Sequence, residues 1–109
     1  MSVVLYLQSD NNFKISGLSD AESGAYLNSA TVTYIIKNEA GATVTGGTGT
    51  MDYVALSNGN YLAVVDKTVM VLNSAVPFTL NGIFFIEVTM VQGNYDRYWR
   101  IPATATYQT

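Results

Sequence analysis

Asp20 and Glu22, with Asp52 and Asp66, are the carboxylates that could supply an acid–base pair, which glycoside hydrolysis needs at a set separation across a cleft. Their spacing along the chain leaves their separation in space open. Asp10-Asn11-Asn12 and Asp20-Ala21-Glu22 offer the oxygen donors a hard cation prefers, but neither follows a calcium-loop pattern. Turn chemistry accounts for Asp and Asn at both places without a metal. The chain contains no His and no Cys, which removes the commonest general base, thiolate chemistry, sulfur-ligated metals and disulfides. A Ser or Thr nucleophile would need a base such as Lys14, Lys37 or Lys67. These stand in turns or at strand ends, not in the apolar surroundings that depress a lysine. Gly46-Gly47-Thr48-Gly49 lacks both the Lys-Ser/Thr and the following helix of a phosphate loop. This pattern predicts no catalytic residue, no cofactor and no metal, and the chain reads as a non-enzyme that works through its surface.

Aromatic side chains are what remains for recognition. Tyr53, Tyr61, Tyr95, Tyr98 and Trp99 could form a platform for a sugar or a protein, although tyrosines of β-proteins are commonly half-buried strand residues. Packing is the expectation for Tyr34, Tyr61 and Trp99, while Tyr95 and Tyr98 are open to either role. Tyr95, Asp96, Tyr98, Trp99 and Arg100 form one candidate binding patch. Tyr26 and Leu27, in the turn-rich stretch from Gly17 to Ser29, form a second. Arg97 and Arg100 beside aromatic rings superficially suit base stacking. A net charge of −3 with five basic residues nevertheless provides no basic run to follow a phosphate backbone, so nucleic acid is not an expected partner.

The elements that must position these residues are strands. A length of 109 residues fits one domain, 1–109, and a hydrophobic fraction of 49% is ample for its core. Gly, Asn and Asp punctuate the chain at short intervals between apolar and Thr-rich runs, with no helical period. Residues 3–8 and 13–16 are predicted to be a pair of strands. Residues 30–37 follow, with Val32, Tyr34 and Ile36 on one face and a hairpin loop at 38–42 that sets Gly41 at positive φ. Residues 43–45 then pair back until Gly46-Gly47 breaks the ladder. A hairpin around Asn58-Gly59 joins 51–56 to 61–65, and 66–82 crosses between sheets. Residues 83–91, with Phe84, Ile86, Val88 and Met90 on one face, make the most central strand. After a turn at Gly93-Asn94, the last run places Trp99, Ile101, Ala103, Ala105 and Tyr107 on one side, and Pro102 marks an edge, bulge or bend. The count is that of an all-β, immunoglobulin-like antiparallel β-sandwich of about seven or eight strands, with a small β-barrel as the alternative.

Charged residues make up 12% of the chain, about half the roughly 25% usual in soluble domains. Two readings account for this: a β-protein surface that uses Thr for charge, or an exterior that partly faces neighbouring protein, since interface cores are depleted of charge. The N-terminal MSVVLYLQSD has no basic region and too short an apolar stretch for a secretory signal, and no run approaches the ~18 apolar residues of a membrane span. No membrane partner is expected.

Three segments carry a resemblance: GLSDAESGAYLNSATVTYIIKNEAGATV (17–44), GTMDYVALSNGNYLAVV (49–65) and RYWRIPATATY (97–107). Together they resemble a group of small tailed-bacteriophage virion proteins. In these a GLTD…GAYLNDATVT…KDAAG..V opening is followed by M.YV.GSNG.Y and an aromatic–Arg ending. The resemblance implies an immunoglobulin-like module of the virion, with no known active site to carry over, assembled in the cytoplasm of the host bacterium. Capsid decoration, head-to-tail connection and tail accessory are all consistent with it. The expected function is a non-enzymatic structural protein, present in symmetric copies and joined to other virion proteins by strand edges and by the 17–29 loop. The alternative is a carbohydrate-binding or adhesion module, in which Tyr95, Asp96, Tyr98 and Trp99 hold a glycan.

Overall fold

A computed structural model describes residues 3–20 and 22–109. Seven strands run β1 (Val3–Tyr6), β2 (Asn11–Ile15), β3 (Thr31–Asn38), β4 (Thr43–Tyr53), β5 (Tyr61–Val65), β6 (Ile83–Gln92) and β7 (Tyr95–Thr106). They form one sheet in the order β1-β7-β6-β3-β4-β5-β2, antiparallel throughout except that β1 runs parallel to β7. The sheet curls until it is nearly closed, so the chain is all-β in the barrel-like form. β2 beside β5, and β3, β6 and β7 in succession, are neighbours that the immunoglobulin arrangement also uses. No helix among the described residues is long and apolar enough to cross a membrane.

Period-two alternation does most of the folding work. Val32, Tyr34 and Ile36 of β3 and Phe84, Ile86, Val88 and Met90 of β6 all point into one core. Gly41 turns the β3–β4 hairpin at φ 90°. β6 is flanked on both sides, by β3 and β7, as its apolar face demands. The segment from Asp66 to Gly82 crosses from β5 to β6. It places Met70 and Phe78 fully inside, with the Phe78 ring 4.7 Å from that of Phe84.

Three local expectations give way to longer-range pairing. β1 and β2 do not form a ladder with each other but lie at the two ends of the sheet order. Gly46-Gly47 does not break β4, which runs on to Tyr53, because a bulge against β3 between Ile35 and Lys37 absorbs the irregularity. The Asn58-Gly59 hairpin forms, but Tyr53 is already the residue opposite Tyr61, so 54–60 make a long loop. Its Gly59 is held against the backbone of Leu18, where a Cβ would stand 2.3 Å from the Leu18 carbonyl oxygen.

One side chain closes the barrel at one end of its seam. Asn11 is buried, 7% exposed, and its Oδ1 accepts the Tyr6 N–H at 2.8 Å while its Nδ2 donates to the Tyr6 carbonyl at 2.9 Å. Tyr6 turns these two groups away from β7, because Leu7 is the residue that donates to Thr106. The Asn11 amide thus stands in for a strand that β1 lacks on that side.

Candidate functional site

Towards its other end the seam is open. Among the described residues β1 pairs with β7 from Val3, opposite Ala103, onward, and none of them pairs with the outer side of β7 from Tyr95 to Ile101. Backbone direction there follows from ladder alternation. The Ala105 N–H donates to Gly82 and Leu7 donates to the Thr106 carbonyl, so odd-numbered residues of β7 bond towards β6 and even-numbered ones face the edge. Asp96, Tyr98 and Arg100 therefore present their N–H and C=O groups outwards. Pro102, which has no N–H to offer, stands at the boundary between the open stretch and the part covered by β1, an edge position that costs it no ladder bond.

Side chains of the same strand alternate between two faces. Tyr95, Arg97, Trp99 and Ile101 are half-buried on the inner face, and Asp96, Tyr98 and Arg100 are exposed on the outer one. On the inner face the Arg97 guanidinium lies 5.1 Å from the Tyr95 ring centroid and 5.7 Å from that of Trp99. It also donates to the Tyr95 hydroxyl and, at 3.2 Å, to the Ser19 carbonyl. On the outer face Arg100 lies over the Phe85 ring at 3.8 Å and reaches Glu87 at 3.8 Å, a carboxylate that Lys37 holds more closely at 3.0 Å.

Between the open stretch of β7 and the end of β2 lies a groove of about 790 Å³, walled by Lys14, Ile15, Leu18, Trp99 and Ile101 and reached by Arg97 and Arg100. Three of the chain's five basic residues line it and no carboxylate does. A smaller cleft of about 480 Å³ lies elsewhere, between the β3–β4 turn and Pro77, Thr79 and Ile83. Among the perturbed titratable groups, burial pushes the Tyr34 phenol up, and hydrogen bonds from Thr68 hold the exposed Asp66 carboxyl low. Neither lines the groove.

The expected aromatic patch is thus divided by the strand. Tyr95 and Trp99 share the inner face with Arg97, whereas Asp96, Tyr98 and Arg100 share the outer one. Of the second patch, Tyr26 is exposed and bridges to Ser19, but Leu27 lies in the core at 5% exposed. The loop carrying them is tied down at several points: Leu18 donates to Gly59, Asn60 accepts from Gly17, and the buried Tyr61 hydroxyl donates to Leu27 and accepts from Ala30. Ala21 lies outside the described residues. Arg97, weighed from the sequence only for base stacking, is absent from both candidate binding patches, although alternation already places it between Tyr95 and Trp99. Lys14 and Ile15 carry no local signal for this groove, since only the curl of the sheet brings β2 opposite β7.

Two of the other carboxylates serve the backbone. Asp20 accepts from the N–H groups of Glu22 and Ser23, and Asp10 accepts from that of Lys67. Among the described residues no group of three His, Cys, Asp or Glu side chains gathers to hold a metal ion. A scan against protein-family models and a search of curated proteins both found no match to the chain.

Proposed function

We propose that this chain is a non-enzymatic structural protein of a bacteriophage particle that joins neighbouring proteins through the open edge of β7 and the groove beside it. The observation that carries this reading is the row of outward backbone groups at Asp96, Tyr98 and Arg100, in a strand whose next stretch is already paired with β1. An exposed edge is a template for another strand, and most β-proteins blunt or cover theirs. The lack of His and Cys and the low charge fit the same reading, and the resemblance to tailed-phage proteins supplies the setting: capsid decoration, head-to-tail connection or tail accessory. Mass spectrometry of purified particles encoded with this chain tests it. The chain is expected at a fixed copy number per particle, and its absence from particles contradicts the reading.

The carbohydrate-binding alternative is favoured by one feature, the Trp99 indole on the groove wall. Stacking there competes with Arg97, and Tyr98 faces away from it. A glycan array compared with Trp99→Ala decides: binding that Trp99→Ala abolishes supports a sugar site, and no binding removes it.

A further inference from the structure

The residues along the open edge are complementary to themselves. If a second β7 runs antiparallel to the first about a two-fold axis at Tyr98, Asp96 of each copy faces Arg100 of the other, and Tyr98 faces Tyr98. All three are outward-bonding positions, so each facing pair exchanges backbone hydrogen bonds with both donors and acceptors available. On the outer face this makes two opposite-charge cross-strand pairs, a favourable arrangement. On the inner face it sets Arg97 opposite Trp99 and Tyr95 opposite Ile101, extending the cation–ring contacts each chain already contains.

Neighbouring registers are penalised. An axis at Arg97 opposes that cation to itself. An axis at Trp99 sets Asp96 opposite Pro102, which has no N–H to return. Axes at Asp96 or Arg100 bring like charges together. Asp96 has no ion-pair partner among the described residues, and Arg100 shares Glu87 with the closer Lys37, so both charges are available to a partner. Among the described residues β1 is paired with Ala103 to Thr106, outside the stretch from Asp96 to Arg100 that the second copy would cover.

We propose that the open half of β7 is an isologous interface with a second copy of this chain, centred on Tyr98 and set in register by Asp96 and Arg100. This rests on the reading of that edge as an interface and names its occupant. A two-fold pairing covers both open edges at once and closes on itself. The ladder is short, so a weak, concentration-dependent dimer is expected rather than an obligate one.

Sedimentation equilibrium of the whole chain over a concentration series tests this, with circular dichroism to confirm that each variant is folded. The native chain is expected to form dimers. Asp96→Arg and Arg100→Asp, each of which places like charges opposite one another, are expected to weaken dimerisation by about tenfold or more. The two substitutions combined restore opposite charges and are expected to restore the dimer. A chain that stays monomeric into the millimolar range, single variants that dimerise like the native chain, or a double variant as weak as the singles overturns the proposal. A monomer that is still found in purified particles overturns only this inference, leaving the edge to a different virion protein. A chain missing from particles overturns the broader reading.

Discussion

Thr104 and Thr106 near the end of β7, and Asp96, Tyr98 and Arg100 nearer its start, all turn their backbone groups away from β6, but among the described residues only the first two meet a neighbour, β1. The side chains differ accordingly. In the covered half the inner face carries Ala103 and Ala105, fully buried beneath the seam that Asn11 closes. In the open half the inner face is filled by Tyr95, Arg97, Trp99 and Ile101, and the outer face by charge and an exposed tyrosine. The comparison teaches that the chain covers one half of this strand itself, and on the proposed reading the other half is where a partner is selected. Charges on an open edge deter indiscriminate pairing, and charges of both signs at set positions permit one register.

Substitutions that probe the covered half should act on stability, and those in the open half on association. The largest effect is expected beneath the covered half, where Phe84 faces Ala103 and packs on Phe78: Phe84→Ala should cost about 3–5 kcal/mol in urea unfolding. Asn11→Ala leaves the Tyr6 N–H and C=O without partners and should cost about 2 kcal/mol by the same measurement. Trp99→Ala, on the half-buried inner face of the open stretch, loses its contact with Arg97 and should cost about 1 kcal/mol. Tyr98→Ala should change the stability of the dilute monomer by no more than about 0.5 kcal/mol, because Tyr98 is 56% exposed, while weakening the dimer. If Tyr98→Ala destabilises the monomer as much as Asn11→Ala does, the division of β7 into two halves is wrong.

Much of the fold is legible in the sequence because its signals are local. The alternation in β3 and β6 and the positive φ of Gly41 follow from residue type and period alone, and Pro102 narrows its own place to an edge, a bulge or a bend, of which the structure takes the first. The seam is not legible. Asn11 reads as a turn residue beside Asp10, and its part in closing the barrel depends on β1 pairing with a strand from the far end of the chain. The candidate site was half visible for the same reason. The run from Tyr95 to Arg100 stands out by composition, but its division into two faces needs the strand to be recognised as continuous through Trp99. The groove needs β2 as well, which no pattern in 95–102 announces. Beside Tyr26, Leu27 reads as part of an exposed turn, whereas the hydrogen bond from Tyr61 to its carbonyl holds it against the core.

Residue-resolved amide hydrogen exchange along β7 tests the central claim most directly. In dilute solution the N–H groups of Asp96, Tyr98 and Arg100 should exchange much faster than those of Arg97, Trp99 and Ile101, which bond to β6, and faster than those of Thr104 and Thr106. Raising the protein concentration should slow the three outward amides selectively. Equal protection of odd and even positions from Tyr95 to Ile101 in dilute solution, or outward amides that ignore concentration, would contradict an open edge that a second copy completes.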